Sequence, residues 1–197
     1  MIRLFRLAIV YLAIASLAVT GCKPNVPVVI RTKAVPVFKG EYPTVNLPLS
    51  LRQSNWLGPM GQGSCVHATM TSLFRWQGQM KLAEYWRTHN GDGEWDVDLA
   101  AKFDRAGVKY AYTSQKGDVR FLEWACSTRR GCGVTVMGGR HMVALVHFDA
   151  KWAGILDNNQ TQGIIWVPRA TFVAEWLNSH SWAVTPVYTP APPLPLN

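Results

Sequence analysis

The hydrophobic period of this chain changes once, and that change limits the folds open to it. From Cys65 to Ala125 apolar side chains recur at helical spacing. From Gly133 onward they gather in short runs rich in Val, Ile and aromatic residues. Ser64 can cap a first helix carrying Ala68, Ser72, Leu73 and Trp76 on one face. A second helix, over 81–89, carries Leu82, Tyr85, Trp86 and His89, and Asn90-Gly91 ends it. Asp96 or Asp98 can cap a third with Leu99, Phe103 and Ala106 inside and Gly107 as its stop, and Asp118 a fourth through Phe121, Leu122 and Ala125. Strands are expected over 133–137, 141–148, 152–156, 163–167 and 182–188. A helix over 168–178 should interrupt the last two, with Pro168 suited to its first turn. Helices first and an antiparallel sheet after them predict an α+β domain, its N-terminal helical part packed on a C-terminal sheet.

The termini read differently. Residues 1–21 place Arg3 and Arg6 before an apolar run and small residues after it, the layout of a secretory signal peptide. Val19-Thr20-Gly21-Cys22 resembles the bacterial lipobox, which implies diacylation of Cys22 and a membrane-anchored, exported protein at the periplasm or cell surface. Residues 22–50 hold Pro24, Pro27, Pro36, Pro43 and Pro48, as expected of an extended tether with one short strand at 28–31. Pro190, Pro192, Pro193 and Pro195 mark 190–197 as a polyproline-like tail. The folded unit is therefore expected over 51–189. With 197 residues in all, 48% hydrophobic and nine Trp, a single cored domain with extensions is the natural reading, and most Trp belong to the core. The formal charge of +8 suits an anionic partner, but no Lys/Arg run interleaved with aromatics exists, so nucleic-acid binding is not expected.

Chemistry concentrates at two glycine-rich approaches. Gly58-Pro59-Met60-Gly61-Gln62-Gly63-Ser64-Cys65 ends at a helix start, where the helix dipole favours a thiolate and nearby N–H groups can hold an oxyanion. Gly138-Gly139-Arg140-His141 opens an apolar strand, so an imidazole at its mouth can reach a facing helix terminus. That strand turns near Asp149-Ala150-Lys151 and returns to Asp157-Asn158-Asn159. A tight turn at Asp149-Ala150 sets Asn158 opposite His141 with Asp157 beside it. A three-residue turn moves the partner to Asn159, and a tight turn one residue later to Gln160. A carboxylate or amide there can fix the imidazole tautomer.

These segments together resemble the papain-like cysteine peptidase superfamily, and within it the bacteriocin-processing (double-glycine leader) peptidase domains. The resemblance rests on Cys65-Val66-His67-Ala68, a helix ending in Leu73-Phe74-Arg75-Trp76-Gln77-Gly78, then Gly139-Arg140-His141 and Leu156-Asp157-Asn158. It covers roughly residues 55–189 and implies Cys65 as nucleophile, His141 as general base and Asp157 or Asn158 as the orienting group. It also implies a peptide or protein substrate and no metal or organic cofactor. The family places an oxyanion-hole Gln six residues before the Cys, where this chain has Pro59. Gln62 is the expected substitute, with Gln53 and Asn55 farther upstream. Without such a side chain the domain could be a non-catalytic binding module, and the same site could also run acyl transfer.

Other polar residues fit no second site. His67 sits about 200° around the helix from Cys65, and His147 about 20 Å along the strand from His141. His89 and His180 have no evident partner. Cys126 and Cys132 lack the His pair of a zinc knuckle. In an oxidising compartment they are expected to form a disulfide worth roughly 2 kcal/mol, closing a basic loop that includes Arg129 and Arg130.

Overall fold

The computed structural model describes residues 40–114 and 117–193. The expected signal segment, Cys22 and the strand at 28–31 lie outside the described residues. Five helices are α1 (Cys65–Trp76), α2 (Met80–His89), α3 (Asp96–Arg105), α4 (Val119–Ser127) and α5 (Arg169–Leu177). Six strands are β1 (Tyr110–Thr113), β2 (Cys132–Val136), β3 (His141–Phe148), β4 (Trp152–Asp157), β5 (Gln160–Pro168) and β6 (Ala183–Pro186). They form one antiparallel sheet in the order β1-β6-β2-β3-β4-β5. β1 has no counterpart in the sequence reading. Its four residues are too few to show a period, and it forms only as an edge strand against β6.

Strand alternation feeds two cores. Met142, Ala144, Val146 and Leu156 face α1, α2 and α3, packing with Met70, Phe74, Trp86 and Phe103. Val143, Leu145 and Ile155 face α4 and α5, packing with Leu122, Phe172 and Trp176. Both sheet faces are thus covered, which is why β3 reads as a continuous apolar run instead of an alternating one. Along α1 every residue except Arg75 is buried.

The domain is longer at both ends than composition suggests. Leu47 is only 2% exposed and joins the first core, while Trp76 Nε1 donates to the Asn46 carbonyl and the Arg52 guanidinium to the Leu47 and Thr161 carbonyls. At the other end Ala191 is buried and pairs with Arg129 in both directions, and Asn46 Nδ2 donates to the carbonyls of Pro192 and Pro193. Proline segments offer carbonyls and few N–H groups, so the amide and guanidinium donors of the domain can dock them. Residues 45–47 and Ala191 are therefore packed against the domain, and the basic loop holds the following segment through Arg129 and Arg130.

Candidate active site

Cys65 is the first residue of α1, where the leading N–H groups of a helix lack intrahelical acceptors. Ser64 does not cap through its side chain. Its Oγ instead accepts the Trp56 N–H and donates to Asn55 Oδ1. Between them, residues 57–63 fold into a small hairpin closed by a Leu57–Gly63 bridge and the Gly58 N–H to Gln62 carbonyl bond. Asp92 grips this loop by accepting the Met60 and Gln62 N–H groups, at 3.0 and 3.2 Å. Gly58 is required there, since a Cβ would meet the Asp92 carboxylate and the Gly91 backbone at 2.4 Å. Nothing local in the sequence marks Asp92, because its partners lie thirty residues upstream.

The approach to His141 is braced in the same way. Glu175 on α5 accepts the Met137 N–H at 2.6 Å, and Ser179 Oγ accepts the Gly138 N–H at 2.9 Å. Met137 is thereby held at φ 57°, in the left-handed region. Gly139, at φ 81°, packs directly on the His180 ring. His180 thus supports the turn that delivers His141, a role its sequence position does not reveal.

The β3–β4 hairpin sets which side chain faces His141. Asp149 Oδ1 accepts the Lys151 and Trp152 N–H groups, so the tight turn falls one residue later than a turn at Asp149-Ala150. An irregularity between Leu145 and His147 then shifts the register back by one. Ala144 consequently pairs with Leu156, which puts Asp157 on the same sheet face as His141 and Asn158 on the opposite one. His141 Nε2 lies 2.9 Å from Asp157 Oδ1, and the ring is also hydrogen-bonded to Cys65. The Asn159 N–H fixes the same carboxylate oxygen at 2.9 Å, from the turn into β5. Asn158 does not reach His141. Its Nδ2 lies 3.1 Å from the Cys65 carbonyl, 2.8 Å from the Met142 carbonyl and 3.0 Å from Thr69 Oγ1. One amide therefore ties the backbones next to the thiol and the imidazole.

Burial works against charging the His141 ring. The hydrogen bonds to Asp157 and Cys65 and their negative charge outweigh it, raising the pKa from 6.5 to about 9. The imidazolium's contribution to stability is accordingly complete below pH 6.5 and is lost as pH rises through about 9. The Gln62 side chain is engaged on the side of the α2–α3 connection. Its side-chain oxygen lies against Gly93, drawn there as Asp92 pulls the loop toward the α2–α3 connection. Asn55 is the amide that joins the site's two sides, bonded to Ser64 and, through Nδ2, to Asn159 Oδ1. Gln53 Nε2 donates to the Ser54 carbonyl. His67 is buried with its Nε2 3.6 Å from Glu94, and His147 pairs with Asp149.

The expected Cys126–Cys132 disulfide is not formed. Both are unbridged thiols in hydrogen-bond contact, with the Cys126 S–H also directed to the Leu145 carbonyl. Complete burial and the contact with Cys126 raise the Cys132 pKa well above an ordinary thiol. Mass-spectrometric mapping after brief iodoacetamide treatment at pH 7 should therefore find Cys65 modified first, Cys126 slowly and Cys132 only on unfolding. Equal labelling of Cys65 and Cys126 would contradict this order.

No protein-family model and no curated protein matches the chain. Among solved structures it is similar to a Bacillus anthracis protein described as a C39-like peptidase. The TM-score is 0.53 at 15% identity, over 74% of this chain and 96% of that one. The peptidase domain of Streptococcus ComA, a bifunctional ABC transporter, aligns with a TM-score of 0.47 at 17% identity, over 64% and 92%. A double-glycine-motif protease solved with its leader peptide aligns at 0.46 and 15%, over 63% and 85%. The first comparison shows that the chain shares the α+β fold of that protein.

Proposed function

We propose that this chain is a thiol hydrolase, a cysteine peptidase that cleaves amide bonds in a peptide or protein. The observation that carries the reading is the buried His141 ring, bonded to Cys65 on one side and Asp157 on the other. A proton on His141 leaves Cys65 as thiolate, which attacks the scissile carbonyl carbon. Backbone N–H groups at the start of α1 hold the oxyanion in place of the missing glutamine. His141 passes its proton to the leaving amine, the C–N bond breaks and a thioester to Cys65 remains. Water, deprotonated by His141, then releases the acid and restores the thiol. Asp157 keeps the ring in one tautomer throughout.

The proposal extends to the N-terminus: Cys22 carries lipid and the domain works at a membrane surface, exported to the cell envelope. Incubation with a mixed peptide library, read by mass spectrometry, tests the activity. New peptide termini, together with a covalent acyl adduct on Cys65 and neither in Cys65→Ala, are expected. A Cys65 that alkylates rapidly but cuts nothing would favour the non-catalytic binding module, the reading that the displaced Gln62 supports. Amide products formed only with an added amine would favour acyl transfer.

A further inference from the structure

Between the loop ahead of Cys65 and the α2–α3 connection lies a cavity of about 700 Å³, lined among others by Trp56, Leu57, Met60, Arg87, Glu94 and Lys102. It adjoins the candidate nucleophile. Trp56 exchanges two hydrogen bonds with Ser64, each 2.9 Å, so the cavity wall stands one strand spacing from the residue before Cys65. A peptide extended over Cys65 reaches such a wall within a few residues.

The cavity is lined by two cations, Arg87 and Lys102, and two carboxylates, Asp92 and Glu94. Asp92 is engaged by the N–H groups of Met60 and Gln62. Glu94 is paired with Lys102 and His67, and each neutralises the other. His89 turns its Nδ1 to the Tyr85 carbonyl and Thr88 hydroxyl. Arg87 remains: half-buried, with no carboxylate partner among the described residues, its guanidinium carbon 4.0 Å over the Trp56 ring. Stacking uses the face of the guanidinium and leaves its in-plane N–H donors for a carboxylate fork. A half-buried cation stacked on an indole and bonded to no carboxylate can pair with an incoming anion.

We propose that this cavity is a substrate subsite that takes an Asp or Glu side chain of the bound peptide, with Arg87 as its ionic partner and Trp56 as its platform. The identity of the ligand as a peptide rests on the hydrolase reading. From Cys22 onward 18 basic and 12 acidic side chains leave a formal charge of +6, which favours approach of acidic segments in general, and Arg87 makes one position selective.

Binding is tested on the full chain carrying Cys65→Ala, with a positional-scanning library of N-acetylated, C-amidated octapeptides and mass-spectrometric reading of what is retained. Asp and Glu should be enriched about tenfold over Lys at one position, the size of one partly shielded ion pair. Arg87→Gln should abolish the enrichment. Arg87→Glu should reverse it toward Lys and Arg, a gained preference that only a folded protein can display. No acidic enrichment at any position, or enrichment unchanged in both variants, would overturn the proposal. The two readings separate cleanly. Cleavage by the unmodified chain without acidic preference removes the subsite and keeps the hydrolase. Retention of acidic peptides with no cleavage keeps the subsite and removes the hydrolase.

Discussion

Replacing His141 with alanine is expected to lower peptide-bond cleavage by about 10⁴-fold or more, with little change in the affinity of the uncleaved peptide. The size follows from three losses in one side chain. The cation that holds Cys65 as thiolate goes, the acid that protonates the leaving amine goes, and the base that activates water goes. Asp157 acts only through the ring, so its variants should grade the effect. Asp157→Ala leaves Nε2 without an acceptor and should cost on the order of 10²- to 10³-fold. Asp157→Asn keeps an oxygen for both Nε2 and the Asn159 N–H, and should retain most of the rate while lowering the His141 pKa. Steady-state kinetics on a peptide found in the library screen measure all three. A His141→Ala protein within tenfold of the parent would exclude His141 as the base.

Asn158→Leu is the change expected to cost most in stability. Its amide serves the Cys65 carbonyl, the Met142 carbonyl and the Thr69 hydroxyl at once, in a site closed to water. Leucine fills the volume but removes both amide donors, leaving the Met142 carbonyl only the Thr69 hydroxyl, at about 1–3 kcal/mol for each lost bond before relaxation. A net loss of about 3 kcal/mol, or roughly 10 °C in Tm, is expected for a domain of this size. The same change should slow alkylation of Cys65, because the tie that sets the front of α1 against the start of β3 is gone. Thermal unfolding followed by circular dichroism, paired with the alkylation rate, tests both parts. An unchanged Tm would show that the amide is not holding helix and strand together.

How far the site could be read from the sequence depends on the range of each interaction. α1 begins at Cys65 and β3 at His141, as the helical stripe and the apolar run predict, although Ser64 supplies no side-chain cap. Asp157 and Asn158 were both legible as candidates. Choosing between them depended on where the Asp149 carboxylate put the turn and on one irregularity inside β3, and neither has a local signal. Asp92 and Glu175 act on loops remote in sequence, so only folding shows that they brace the approaches to the thiol and the imidazole. Gln62 was a spacing argument. In the structure Asp92 holds that loop and the Gln62 side-chain oxygen lies against Gly93. Proline content marked 22–50 and 190–197 as extensions, yet proline carbonyls are good acceptors: Asn46 donates to those of Pro192 and Pro193, while Arg129 holds the neighbouring Ala191 carbonyl.

The pH profile of Cys65 alkylation, measured with iodoacetamide on the parent and on His141→Ala, reports most directly on the charge pair beneath this account. A rate already on its plateau at neutral pH, changing only as His141 gives up its proton near 9, is the predicted result. In His141→Ala the rate should instead rise with one ordinary thiol ionisation near 8.5. Superimposable profiles, both climbing with that ordinary ionisation, would contradict it.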